Sequence, residues 1–100
     1  MDLLLRIKRL AVARRVEFTL KAEIERLRDG LTVEDVLESI VNANAIKKVL
    51  RSRAPGLRGQ KLYVIESPTY SGLWIYTKGT IRRKAGEEVF YVFISSKHAE

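Results

Sequence analysis

The sequence is 100 residues long, 46% of it apolar and with only two prolines, which is the make-up of one domain folding on one core and excludes a disordered chain. Nineteen Lys and Arg oppose twelve Asp and Glu for a formal net charge of +7, an excess that attracts phosphate backbones, anionic lipid or an acidic protein. There is no cysteine, so a disulfide framework, thiolate chemistry and a Cys-based zinc site are excluded.

Leu3, Leu4 and Leu5 open the chain, but Arg6, Lys8, Arg9, Arg14 and Arg15 interrupt the apolar stretch. A secretory leader needs roughly 7 to 15 uninterrupted apolar residues, and a membrane span about 20. The expectation is a soluble, cytoplasmic protein. Leu3, Ile7 and Leu10, with Leu4 and Ala11 beside them, recur at helical spacing and predict a first amphipathic helix. Val16-Glu17-Phe18-Thr19 is a short β-prone piece. Thr19 then caps a second helix whose Leu20, Ile24 and Leu27 stand at i, i+4 and i+7, and Gly30 ends it. Thr32 with Asp35 forms an Asp version of the capping box ahead of Val33, Val36, Leu37, Ile40 and Val41, a third helix that stops near Asn42 and Asn44.

From Ile46 to Arg53 the residues suit either a helix or an edge strand. Pro55-Gly56-Leu57-Arg58-Gly59 is a loop, and beyond it the period falls from 3.6 to 2. Strands are predicted over Lys61–Glu66, Leu73–Ile81 and Glu88–Ser96, joined by the turn-forming segments Ser67–Gly72 and Arg83–Glu87. Short links between successive strands make an antiparallel meander. The predicted class is therefore α+β: one domain, residues 1–100, with N-terminal helices packed on a three- or four-stranded antiparallel sheet.

In the middle strand, Leu73, Ile75, Thr77, Gly79 and Ile81 share one face and Trp74, Tyr76, Lys78, Thr80 and Arg82 the other. The first row reads as core. The second interleaves aromatics with cations, which suits stacking on bases and pairing with phosphates, although an ordinary amphipathic sheet face with solvated lysines has the same pattern. In the last strand, Val89, Tyr91, Phe93, Ser95 and Lys97 form one row and Phe90, Val92, Ile94 and Ser96 the other, and either row can face inward. His98 is the lone histidine, and Glu23, Glu25, Glu34, Asp35 and Glu38 read as solvated helix faces, so a metal centre is not expected. Ser95 or Ser96 near His98 lacks a nucleophile elbow, and Gly56 and Gly59 lead into a strand, not a helix as a phosphate loop would. Metal-free RNA cleavage stays open to such a chain: the ribose 2′-hydroxyl is the nucleophile, and the protein need supply only a base, an acid and cations.

The segments "RVEFTLKA", "GLTVEDVL", "LWIYTKGTI" and "FISSKHAE", in this order and spacing over nearly the whole chain, resemble the MqsR family of RNA-cleaving toxins, relatives of RelE-type ribonucleases. The resemblance implies a RelE-like fold and metal-independent endonucleolytic cleavage of mRNA (an mRNA interferase of a type II toxin–antitoxin system) with no cofactor. It implies mRNA and a cognate antitoxin encoded nearby as partners, and leaves room for association with the ribosome but none for a membrane. The positions matching the family's catalytic residues are Lys48, with Lys47 competing for the role, Gln60, Tyr76 and Lys97. Lys97 and Lys48 would stabilise the phosphate, Tyr76 position or protonate, and Gln60 hold the substrate, with Lys78, Arg82, Trp74 and His98 contacting RNA. The sequence departs from the family where an arginine should follow the glutamine, since Tyr63-Val64-Ile65-Glu66 stands there, and it lacks a histidine between the last two strands, where Arg82, Arg83 and Lys84 stand. His98 or Arg82 is then the substitute acid. Two other classes compete: a non-catalytic nucleic-acid-binding module, and an interaction protein whose positive surface meets an acidic partner.

Overall fold

The change of hydrophobic period near residue 60 marks where the three long strands of the sheet begin. In the computed structural model, which describes residues 2–56, 58–84 and 88–100, the chain runs α1 (Leu3–Val12), β1 (Val16–Phe18), α2 (Leu20–Arg28), α3 (Val33–Val41), β2 (Lys48–Arg51), β3 (Lys61–Pro68), β4 (Trp74–Lys84) and β5 (Glu88–His98). The sheet has five strands in the order β1-β5-β4-β3-β2. The α+β class holds, but the antiparallel sheet of three or four strands does not. β2 is the edge strand that the Ile46–Arg53 pattern left open, and β1 adds a parallel pair with β5, Val16 opposite Tyr91 and Phe18 opposite Phe93. A three-residue strand separated by seventy residues from its partner leaves no periodic signal, hence the undercount. Of the expected Arg83–Glu87 turn, Arg83 and Lys84 belong to β4, while residues 85–87 lie outside the described residues, as does Leu57 of the earlier loop.

Helix ends follow the predicted caps. The Thr19 hydroxyl accepts from Ala22 N–H at 3.2 Å. The Thr32 hydroxyl accepts from Asp35 N–H at 3.0 Å while the Asp35 carboxylate accepts from Thr32 N–H at 2.9 Å, a complete capping box with Asp in place of Glu. Ile7 and Ala11 of α1 and Val36, Leu37 and Ile40 of α3 meet Tyr63, Ile65, Ile75, Tyr91 and Phe93 of the sheet in one core. The side chains on that sheet face alternate with those on the open face, as pleating requires.

Helix α2 is oriented against its own hydrophobic pattern. Leu20, Ile24 and Leu27 are 76%, 55% and 66% exposed, whereas Ala22 and Glu25 are buried. The cause is the junction with β1: Thr19 N–H donates to Phe93 C=O at 3.0 Å, so the helix starts with no linker and its rotation is fixed by the strand. The face turned to β5 sits so close that the Ser96 hydroxyl reaches Ala22 C=O at 2.9 Å, a distance at which a leucine has no room. Glu25, expected as a solvated carboxylate, is consequently a buried one.

The register of β4 against β5 slips between Lys78 and Gly79: Gly79 pairs with Phe93 but Lys78 with Ser95, leaving Ile94 as the extra residue. This β-bulge breaks the alternation of β5. Tyr91 and Phe93 face the helices, and unbroken alternation would have sent Lys97 the same way. After the bulge Lys97 pairs with Tyr76 and stands on the open face.

Candidate functional site

Three strands bring one polar row together on the face away from the helices. Glu66 of β3 pairs with Tyr76 of β4, and Tyr76 with Lys97 of β5; directly opposed side chains on one face have Cβ atoms roughly 5 Å apart. The Lys97 ammonium lies 5.5 Å from the centre of the Tyr76 ring, a cation–π contact that holds both over the sheet. Glu66, Tyr76, Lys97, His98 and Glu100 line a cavity of about 290 Å³. The Lys47 ammonium ion-pairs with Glu66 at 3.0 Å, joining the β2 edge to this row. His98 is anchored by its N–H, which donates to the Asp29 carboxylate at 2.9 Å; that bond leads the interactions that lower the Asp29 pKa.

The expected site residues divide by position. Tyr76 and Lys97 are brought together; His98 borders the same cavity, but its pairing with the core residue Ile75 sets it on the helix side of the sheet. Lys48 lies one row along, paired with Val64, which pairs in turn with Lys78. Lys48 is exposed and Lys78 half-buried, and both flank the cavity on the same face. Trp74, two residues to the other side of Tyr76, is 54% exposed. Gln60 is elsewhere: its amide donates to the Thr80 hydroxyl at 2.8 Å and to Ile81 C=O at 3.2 Å, and six residues of strand separate it from Glu66, about 20 Å. Arg82 is exposed and similarly distant along β4. Gln60 covers Thr80, which is why Thr80 is buried although it sits in the row read as open.

Glu66 and Glu100 were not singled out from the sequence as members of this site, and Lys47, which competes with Lys48 for a catalytic role in the sequence, enters it as the ion-pair partner of Glu66. The signal available was a lone carboxylate in the otherwise apolar strand Leu62-Tyr63-Val64-Ile65-Glu66; that it faces Tyr76 depends on register, which the sequence does not display. Among the described residues no three His, Cys, Asp or Glu side chains gather as a metal-binding group. Of the other cavities, one of about 360 Å³ is lined by Leu5, Val12, Ala13 and Val41 with Lys8 and Arg9 and offers no acid–base chemistry. No family model, no curated protein and no solved structure matches the chain.

Proposed function

We propose that this chain is an endoribonuclease that cleaves mRNA through the RNA's own 2′-hydroxyl, of the kind the resemblance to MqsR-type toxins implies, acting in the cytoplasm and held in check by an antitoxin. The observation that carries the reading is the juxtaposition of Tyr76 and Lys97 across β4 and β5 on the floor of the 290 Å³ cavity. Lys97 neutralises charge developing on the phosphate, Tyr76 orients or protonates it, and Lys48 and Lys78 pair with neighbouring phosphates. Trp74 offers an exposed indole for a base. Gln60 serves the sheet framework in this reading.

The test is incubation of the purified protein with a structured mRNA in EDTA, with mapping of the ends. Cleavage that survives the chelator and leaves cyclic-phosphate termini is the expected result. Tyr76→Phe and Lys97→Ala should each lower the rate on the order of 10²-fold or more, the usual cost of removing one preorganised electrostatic contact. Intact RNA that is nevertheless bound with steep salt dependence would identify a passive nucleic-acid-binding module instead.

A further inference from the structure

The cleavage reading names no base for the 2′-hydroxyl, and the site holds a group that fits the role. We propose that Glu66 is the general base that takes the proton from the ribose 2′-hydroxyl, with the hydroxyl of Tyr76, its cross-strand neighbour, protonating the leaving 5′-oxygen; the assignment rests on the cleavage reading above. Glu66 is the one carboxylate of β3, and register sets it opposite Tyr76 with Lys97 one strand further. Two strand spacings, roughly 10 Å of backbone, separate Glu66 from Lys97, with Tyr76 between them, so all three side chains border the same cavity. The Glu66 side chain is only 26% exposed, and Lys47 holds its Oε2, so its position is fixed before substrate arrives. Glu100 lines the same cavity but lies beyond the last strand pair, Ile75 with His98.

The step balances without a co-reactant. The 2′-hydroxyl proton passes to Glu66 as the 2′-oxygen–phosphorus bond forms; the phosphorus–5′-oxygen bond breaks and the Tyr76 hydroxyl gives its proton to the departing oxygen. The products are a 2′,3′-cyclic phosphate and a 5′-hydroxyl, and both side chains return to their starting states by proton exchange with water. Lys97 stabilises the doubly charged phosphorus centre between the two transfers.

The experiment measures kcat/KM against pH on a DNA oligonucleotide containing one ribonucleotide, together with the affinity for the all-deoxy oligonucleotide, which cannot be cut. The wild type should give a bell-shaped profile. Glu66→Gln should lower kcat on the order of 10²-fold or more and remove the acid limb, while affinity for the all-deoxy strand changes by about twofold or less or tightens. Glu66→Asp should restore part of the rate with the limb, and Tyr76→Phe should remove the basic limb. A Glu66→Gln protein that keeps the acid limb and a rate within about threefold of wild type, or loss of that limb in Glu100→Gln instead, overturns the assignment while leaving cleavage intact. A wild type that cuts neither this substrate nor mRNA overturns the cleavage reading and the assignment together.

Discussion

The Glu25 carboxylate accepts a 2.7 Å hydrogen bond from the Ser95 hydroxyl, and the same oxygen accepts from Ser96 N–H at 3.1 Å, so helix α2 grips β5 between its bulged residue and Lys97. One helical turn on, Asp29 accepts from His98 N–H. The two carboxylates bracket Lys97 along the strand. Glu25→Ala leaves a buried hydroxyl and a buried N–H without partners, and should destabilise the fold on the order of 1–3 kcal/mol, read from the urea midpoint at neutral pH. An unchanged midpoint would show that the clamp carries no stability.

The same carboxylate makes stability depend on pH. Burial pushes the Glu25 pKa up, but hydrogen bonds from Ser95, Lys21 and Ser96 together outweigh it and hold the group below its ordinary 4.5. A carboxylate that is more acidic in the folded than in the unfolded chain stabilises fully above the unfolded-state value and loses that contribution as pH falls through the lowered one. The urea midpoint should therefore drop as pH falls below about 5, and drop less steeply in Glu25→Gln. Parallel slopes in the two proteins would assign the acid sensitivity to other groups.

Gly79 and Tyr91 form a size lock beneath the bulge. A Cβ at Gly79 would lie 2.5 Å from two ring carbons of Tyr91, and Tyr91 is fully buried, so neither side has room to yield. Gly79→Ala should cost roughly 1–3 kcal/mol of stability through overpacking. The Tyr91 hydroxyl is buried with no hydrogen-bond partner among the described residues. Tyr91→Phe should accordingly be neutral or stabilising by thermal denaturation; a clear loss would point to a partner for that hydroxyl.

Helix α2 shows where the sequence misleads. The i, i+4, i+7 leucine and isoleucine stripe is what a buried helix face looks like, yet Leu27 is 66% exposed while Ala22 is fully buried. The helix itself was legible, from Thr19 to Gly30; its rotation was not, because rotation is set by a one-residue junction to a strand whose parallel pairing is non-local. Leu27→Ser should change stability by less than about 0.5 kcal/mol, whereas Ala22→Leu should destabilise by roughly 1–3 kcal/mol in the same urea assay. Equal effects would mean that the stripe is covered.

The site was legible to the extent that alternation within a single strand determines it. Trp74, Tyr76 and Lys78 share the open face of β4 as their spacing requires. Lys97 reaches that face only through the bulge at Ile94, and Glu66 through register, and neither is written in a local pattern. Gln60 matched a family position by order alone, and its amide is engaged with Thr80 and Ile81.

On the proposed function, the open row along β4 sets how far a bound RNA would extend. From Trp74 to Arg82 the strand spans about 25 Å, enough for several nucleotides if the strand runs along it, too far if RNA touches only the cavity. Each phosphate paired with a cation contributes about 0.7 to the slope of log affinity against log salt for a single strand. Lys78→Ala should lower that slope by about one phosphate's share, since Lys78 flanks the cavity. Arg82→Ala should do the same only when the oligonucleotide is long enough to reach it, so titrating short and long single strands against both variants reads the path directly. A slope indifferent to Arg82 at every length would confine RNA to the Trp74–Lys78 end, and one indifferent to Lys78 would remove the open face of β4 as the phosphate track.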